Sequence, residues 1–155
     1  MHPISNLDLG RLSELIVLDE DLMLEPGELT PHPIHKVPTC FLRMVHARSR
    51  APMGSINLRI GNSAHLQLYA GHVGYFVDEA YRGNRYASRA LRLLMPMARE
   101  LGLDPLWVTC DPENIASRRT CELAGARLVE IVDVSEACII RRSGHPRKCR
   151  YLLEL

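Results

Sequence analysis

The stretch EAYRGNRYASRA combines cationic, small and hydroxyl-bearing residues directly before a segment with an apolar stripe. The first turn of a helix exposes unpaired backbone N–H groups and the positive end of the helix dipole, which together bind phosphate oxygens. Gly83 allows a sharp turn, and Ala87 leaves room for a bulky anion. Ser88 offers a hydroxyl, and Arg82 and Arg85 add cationic donors. These residue types suit a pyrophosphate, with an ordinary strand-to-helix turn as the alternative interpretation.

The common nucleotide-binding loops do not fit this stretch. It lacks the G-K-S/T ending of a Walker A loop and the G-x-G-x-x-G fingerprint of dinucleotide-binding folds. A phosphate site here therefore belongs to another class of protein.

Length and composition predict one globular domain over residues 1–155, because 46% of the residues are hydrophobic and 24% are charged. A net charge of +1 gives no general attraction to nucleic acid or to an anionic membrane.

No run of about eighteen apolar residues or signal-like start occurs, so we expect a cytoplasmic protein without a membrane segment. The five cysteines form no C-x-x-C pair and the histidines are scattered, so we expect reduced thiols and no metal site.

The first half of the chain reads as strands. The segment before residue 37 is poorly patterned: LSELIVL fits a strand or a helical turn, and the four prolines of EPGELTPHPIHKVP favour a loop. Alternation of apolar and polar residues predicts strands near 39–48, 54–60 and 66–77.

The second half alternates helices with strands. An apolar face from Ala87 to Leu101 predicts a helix that Gly102 ends and Pro96 bends. PLWVTC suits a buried strand, and a second helix runs from an N-cap at Asn114 to a C-cap at Gly125. RLVEIVDV and CRYLLEL predict closing strands on either side of a loop around RRSGHP. Hairpins followed by helical crossovers predict a mixed α/β sheet.

The segment VGYFVDEAYRGNRYASRALRLLMPMARELG, followed by LWVTCDPENIASRRTCELAGARLVEIVDV, resembles the GNAT superfamily of acetyl-CoA-dependent N-acetyltransferases. The resemblance covers about residues 53–155, and its most specific part couples a Q/R-x-x-G-x-G/A phosphate loop to an N-x-x-S/A helix. It implies an α/β (α+β) fold: a mixed, mostly antiparallel sheet with helices on its faces and a shortened N-terminal helical region. The acetyl thioester would lie between splayed strands that end at Val77 and Cys110.

The resemblance also implies a set of residues that bind acetyl-CoA. Backbone groups of Tyr75, Phe76 and Val77 would pair with the pantetheine arm as an added strand does. Asn114 would contact the cofactor arm, with Ser117 beside it. The loop that wraps the pyrophosphate would comprise Arg82, Gly83, Asn84, Arg85, Tyr86, Ala87 and Ser88.

The chain departs from the family pattern at two positions. Arg85 replaces the central glycine of the phosphate loop, and Cys121 stands where a tyrosine usually protonates the departing thiolate. His72 is a candidate general base or a structural histidine. Tyr75 is a candidate acid, a wall of the substrate pocket or a core residue.

Asp111 and Glu113 could bind an amine or favour the start of the second helix, and we favour the helix start. The basic segment RRSGHPRKCR fits a solvated loop better than an anion-binding surface.

We therefore expect an N-acetyltransferase that moves an acetyl group from acetyl-CoA to a primary amine by direct transfer. The alternatives are a non-catalytic acyl-CoA-binding regulatory module on the same fold and a structural domain without a ligand. Peptide N-termini, polyamines, amino sugars and antibiotics all remain open as acceptors. The first 52 residues show no clear pair of helices, so another subunit could complete the acceptor pocket. Exposed strands at the C-terminal end are consistent with a homodimer.

Overall fold

The computed structural model describes residues 18–154. The prediction for LSELIVL, apart from its last residue, and the shortened N-terminal helical region lie outside the described residues. The described part contains two antiparallel sheets with helices packed on them. The fold class predicted from the sequence, a mixed and mostly antiparallel α+β fold, is thus confirmed.

Four strands form the first sheet in the order β1-β2-β3-β4. Their bounds are Leu22–Pro31 for β1, Pro38–His46 for β2, Pro52–Arg59 for β3 and Val73–Val77 for β4. The predicted strands near 39–48 and 54–60 are confirmed as β2 and β3. Both strands bury the apolar positions of their alternating pattern, such as Leu42, Met44 and Ile56.

The loop predicted over EPGELTPHPIHKVP is wrong in its first half, where β1 forms instead. Two features reconcile prolines with a strand. β1 lies at the edge of the sheet, and its register with β2 shifts between Pro26 and Leu29. Proline is tolerated at edges and bulges because no ladder donor is needed there. Leu22 and Leu24 are buried in the core, and this burial stabilises the strand over a loop.

The strand predicted over 66–77 is wrong for its first half. Leu66–Ala70 forms a π-helical turn, which the backbone N–H of Gly71 closes by donating to the Leu66 carbonyl at 2.7 Å. Leu66 and Ala70 are buried in a small cluster with Val134 and Ile140, so the apolar run packs as a turn rather than as a strand. Only Val73–Val77 continues as β4.

The predicted helices and closing strands are confirmed. Helix α1 spans Tyr86–Glu100 with Pro96 inside it, and helix α2 spans Ile115–Ala124 with Gly125 in a left-handed C-cap. The segment predicted as a loop around RRSGHP begins inside a short helix, Ile139–Arg142, which we call α3. The remaining bounds are Leu106–Cys110 for β5, Arg127–Asp133 for β6, Ile139–Arg142 for α3 and Arg147–Leu153 for β7.

The second sheet has the order β5-β7-β6, and it meets the first sheet where β4 and β5 begin. The N–H of His72 donates to the Trp107 carbonyl at 2.7 Å, but β4 and β5 belong to separate sheets. One hydrophobic core runs under both sheets and includes the buried face of α1. Among the described helices, none is long and apolar enough to cross a membrane.

Candidate active site

A cavity of about 520 Å³ lies between β4, the start of α1 and the start of α2. We call it the first cavity. All but one of the residues that the resemblance assigned to acetyl-CoA line it. Those residues are Tyr75, Phe76, Val77, Arg82, Gly83, Arg85, Tyr86, Ala87, Ser88, Asn114 and Ser117. The exception is Asn84, whose amide donates to the Tyr81 carbonyl at 3.1 Å and thereby closes the turn from within.

The loop before α1 bends through two residues with positive φ. Gly83 has φ of 88°, and a side chain there would meet no heavy atom within 4 Å. Arg85 has φ of 60° and ψ of 24°, the left-handed conformation that glycine adopts most easily. Arg85 thus takes the backbone shape of the glycine it replaces and keeps a cationic side chain at the cavity. The first N–H groups of α1, which have no acceptor within the helix, follow directly.

The free edge of β4 borders the same cavity. The His72 carbonyl points toward β3, where it accepts from the Arg59 N–H at 2.7 Å. Because successive carbonyls alternate along a strand, those of Tyr75 and Val77 point to the free edge, and that of Phe76 points to β3. Arg82 Nε donates to the Val77 carbonyl at 2.9 Å on that free side. The register therefore leaves both backbone groups of Tyr75 and the N–H of Val77 for an added strand, whereas Phe76 contributes an exposed side chain.

Sequence reasoning missed the part of the first cavity that α2 supplies. Ala116, Arg119, Thr120 and Leu123 line it. These residues recur at spacings of three and four, so they form one face of the helix. That spacing, counted from Asn114 onward, is the signal that could have found them. Arg119 adds a cation to the cavity that the loop before α1 also lines.

Tyr75 reaches from β4 to α2. Its phenol oxygen lies 2.6 Å from Ser117 Oγ and 3.9 Å from Cys121 Sγ. Burial, followed by the nearby Cys121 thiol, raises the pKa of Tyr75, so the phenol keeps its proton at neutral pH. A hydrogen bond with Cys110 and burial raise the pKa of Cys121, which is fully buried. Cys121 is therefore a neutral packed thiol, and the hydroxyl beside it belongs to Tyr75.

His72 has the contacts of a structural histidine. Its Nδ1 accepts from the Trp107 N–H at 3.0 Å, which leaves Nε2 to donate to the Gly61 carbonyl at 3.0 Å. Burial is the main cause that lowers the pKa of His72 and keeps the ring neutral. Because both ring nitrogens are occupied and the side chain is buried, the structure favours the structural alternative over a catalytic base.

A cavity of about 370 Å³ lies on the other side of Tyr75. We call it the second cavity. Tyr75, Asn114 and Ser117 line both cavities and form the wall between them. The lining of the second cavity includes two histidines, one carboxylate and two basic side chains: His35, His145, Asp111, Arg59 and Lys148. An acceptor could therefore approach Tyr75 from the side opposite the phosphate loop.

Our preference for Asp111 as a residue of the helix start is wrong. Asn114 Oδ1 caps α2 by accepting from the Ser117 N–H at 3.1 Å. The Asp111 carboxylate instead contacts His145 Nδ1 at 2.6 Å and Lys148 Nζ at 3.1 Å. Burial opposes ionisation of Asp111, but the hydrogen bonds from Lys148 and His145 outweigh it and lower the pKa of the carboxyl.

No group of three or more His, Cys, Asp or Glu side chains within residues 18–154 is arranged to hold a metal ion.

The chain belongs to the GNAT acetyltransferase family. The family model described as "Acetyltransferase (GNAT) domain" matches residues 4–127, which is most of the chain. The match begins earlier than the resemblance seen in the sequence, which started near residue 53, and it ends near the start of β6.

Solved structures share the fold. An acetyltransferase of the GNAT family from Bacillus anthracis is 21% identical with a TM-score of 0.56, over 74% of this chain and 65% of that one. A putative ribosomal-protein-serine acetyltransferase from Vibrio cholerae is 18% identical with a TM-score of 0.57, over 76% and 64%. The microcin C7 self-immunity acetyltransferase, solved with acetyl-CoA and AMP, is 16% identical with a TM-score of 0.58, over 76% and 61%.

The chain thus spans less than two thirds of the length of each of these three structures. No curated protein sequence matches the chain. At these identities the likeness shows the fold, and the observations that bear on the reaction come from the two cavities.

Proposed function

We propose that the protein is an N-acetyltransferase that moves an acetyl group from acetyl-CoA directly to a primary amine. The observation that carries the proposal is the first cavity, in which a positive-φ phosphate loop, the start of α1 and the free edge of β4 adjoin one another. Family membership and a family neighbour solved with acetyl-CoA support the choice of co-substrate.

The first cavity fits coenzyme A in its chemistry. Unpaired N–H groups at the start of α1 and the side chains of Arg82, Arg85 and Arg119 would bind phosphate oxygens. The outward backbone groups of Tyr75 and Val77 would bind the amides of the pantetheine arm, and Asn114 would contact the same arm. When bound there, acetyl-CoA supplies an activated acetyl group as a thioester.

Tyr75 is the proposed general acid. Direct transfer forms a C–N bond, breaks the C–S bond and leaves a thiolate that needs a proton. The phenol of Tyr75 is protonated, partly buried at the wall between the cavities and held by Ser117 at 2.6 Å. Its position beside Cys121 replaces the hydroxyl that the family usually supplies from α2.

The rival function is a non-catalytic acyl-CoA-binding module, favoured by the cysteine at the usual acid position. The two functions differ in turnover rather than in binding.

The acceptor is the unknown, so a panel of amines is required. It comprises peptides with N-terminal serine or alanine, spermidine and glucosamine. The serine peptide is included because one fold neighbour is named a putative ribosomal-protein-serine acetyltransferase.

We also propose a cytoplasmic location, because the five cysteines are free and four of them are buried, as expected in a reducing compartment. We further propose that the protein forms a homodimer, as expected from the sequence. Light scattering would test this.

Calorimetric titration with acetyl-CoA tests the proposal. Gly83→Trp should abolish saturable binding, because its side chain would enter the first cavity. Gly102→Trp is a matched control: Gly102 also has positive φ, 76°, with nothing within 4 Å of a Cβ, but it lies at the other end of α1. It should bind like the wild type.

Turnover is then followed as thiol release with each member of the panel. Release that requires an amine supports the enzyme. Tight acetyl-CoA binding without amine-dependent release would favour the binding module, and absence of binding to the folded wild type would refute both functions.

A further inference from the structure

A histidine–carboxylate pair borders the second cavity, and neither residue has a role in binding acetyl-CoA. His145 lies in the turn between α3 and β7, and Asp111 follows the last residue of β5. The Asp111 carboxylate accepts the Nδ1 proton of His145 across 2.6 Å. This contact fixes the ring orientation and leaves Nε2 unprotonated when the ring is neutral.

The second ring nitrogen of His145 is available. Among residues 18–154 no hydrogen bond to Nε2 of His145 is found, and 44% of the side chain is exposed. His72 contrasts with it, because backbone groups occupy both nitrogens of that buried ring. Of the two histidines, His145 alone can accept a proton from a ligand in the second cavity.

We propose that the second cavity receives the acceptor amine and that His145 is the general base, with Asp111 as its positioning residue. This assignment rests on the proposed acetyltransferase function. It places base and acid on the two sides of the shared wall: His145 lines the second cavity, and Tyr75 lines both. An amine in the second cavity and a thioester in the first would meet at Tyr75, Asn114 and Ser117.

The charges in the second cavity favour a neutral acceptor amine, which still has to lose a proton when it attacks the thioester. Arg59 and Lys148 are cationic, Asp111 is the single carboxylate that lines the cavity among the described residues, and the site therefore disfavours an ammonium ion. Burial is the main cause that lowers the pKa of His35 to about 4, so this neighbour stays neutral and adds no charge at neutral pH. The remaining titratable groups that line the cavity are Tyr69, Tyr75 and Cys110.

The proton balance of the reaction is simple. The neutral amine attacks the thioester carbon, the C–N bond forms and the C–S bond breaks. His145 Nε2 takes the proton that the nitrogen sheds, and the Tyr75 hydroxyl gives its proton to the departing sulfur. Both groups then return to their starting states by exchange with water, so the overall products are an amide, a free thiol and the proton that the amine carried in solution.

The test compares four variants with the acceptor that the wild type uses fastest among the two peptides, spermidine and glucosamine. We expect His145→Ala to lower kcat by about 10²- to 10⁴-fold, the usual contribution of a general base. The affinity for acetyl-CoA should change by less than about threefold, because His145 does not line the first cavity. Added imidazole should restore part of the kcat of His145→Ala, because it fits the space left by the ring.

His145→Gln should lose kcat without rescue by imidazole, since its side chain fills that space. Asp111→Asn should lower kcat by at least about tenfold with little change in KM, because an amide no longer fixes the tautomer of the ring. The control is His46→Asn, at the last residue of β2. His46 Nδ1 accepts from the N–H groups of Arg48 and Ser49, contacts that asparagine can replace, and His46 lines neither cavity.

A folded His145→Ala protein with kcat within threefold of wild type would overturn the assignment and leave the acetyltransferase function intact. Loss of kcat that imidazole does not restore in His145→Ala, together with normal kcat in Asp111→Asn, would also overturn it. If the wild type binds acetyl-CoA but acetylates no member of the panel, the proposed function fails, and the base assignment fails with it.

Discussion

The phenol oxygen of Tyr75 lies 3.9 Å from Cys121 Sγ, so a strand residue places a hydroxyl beside the helix position that lacks one. Cys121 points into the core and is fully buried, whereas Tyr75 lines both cavities. The departure from the family pattern at Cys121 therefore does not remove the hydroxyl from this part of the site. Under the proposed function, the element that supplies the acid is β4 instead of α2.

Replacing Tyr75 by phenylalanine tests the role of that hydroxyl. We expect kcat to fall by about 10²-fold or more, because the thiolate loses its proton donor. Acetyl-CoA should still bind, since the backbone groups of residue 75 are retained. Thiol-release kinetics and calorimetry on the same preparation would separate the two effects.

Tyr151→Phe is the matched control for Tyr75→Phe. Tyr151 is also buried, but its hydroxyl accepts from Arg118 Nε at 3.1 Å and lines neither cavity. Its kcat should stay near the wild-type value. Equal losses in the two variants would mean that removal of a buried hydroxyl acts through stability, and Tyr75 would lose its place as the acid.

Arg85 has an unfavourable left-handed backbone conformation and a cationic side chain. Two substitutions separate the effect of the conformation from the effect of the charge. A residue other than glycine in the left-handed region costs about 1 kcal/mol or more. Arg85→Gly should therefore be more stable to urea than Arg85→Ala by about 1 kcal/mol. Both variants should bind acetyl-CoA more weakly than the wild type, and they should lose part of the salt dependence of binding.

The same pair of substitutions at Arg48 provides the comparison. Arg48 is an exposed residue of the turn between β2 and β3, is not among the residues with positive φ, and lines neither cavity. There glycine should be no more stable than alanine, and acetyl-CoA affinity should not change. If Arg85→Gly were also no more stable than Arg85→Ala, the left-handed conformation of the loop would be refuted.

The sequence predicted the turn before α1 and both long helices because their signals are local. Gly83, the Asn114 cap and the Gly125 cap each act within a few residues of their positions. β1 and the π-helical turn were missed because tertiary burial overrode local preference, at Leu22 and at Leu66 respectively. The pairing of Asp111 with His145 could not be predicted, because the two residues are 34 positions apart and only the fold brings them together.

His72 should matter for stability. Its buried ring pairs with the Trp107 N–H and the Gly61 carbonyl, two partly buried groups where the two sheets join. His72→Phe leaves both groups without a partner, and each unsatisfied buried group costs about 1–3 kcal/mol. We expect a clear loss in the free energy of unfolding measured with urea, with His46→Asn as the histidine control. Unchanged stability with a large loss of kcat would instead restore His72 as a candidate base.

Three neighbouring histidines should make the protein sensitive to mild acid. Burial, then the charge of Arg59, lowers the pKa of His35 from near 6.5 to about 4, and His32 and His65 shift in the same direction. His65 Nε2 lies 2.9 Å from His35 Nδ1, so one of the two rings donates a hydrogen bond to the other. Between pH 6.5 and about pH 4 the unfolded chain therefore takes up a proton that native His35 does not.

The free energy of unfolding should accordingly fall as the pH decreases through that window, and the contribution of His35 should level off below its folded pKa of about 4. His35→Gln should reduce this slope, because one of the titrating groups is gone. Urea unfolding at pH 7.5, 6.5, 5.5 and 4.5, compared with His46→Asn, would measure it. If stability changes equally with pH in the wild type and in His35→Gln, native His35 titrates as it does in the unfolded chain, and the buried neutral ring is refuted.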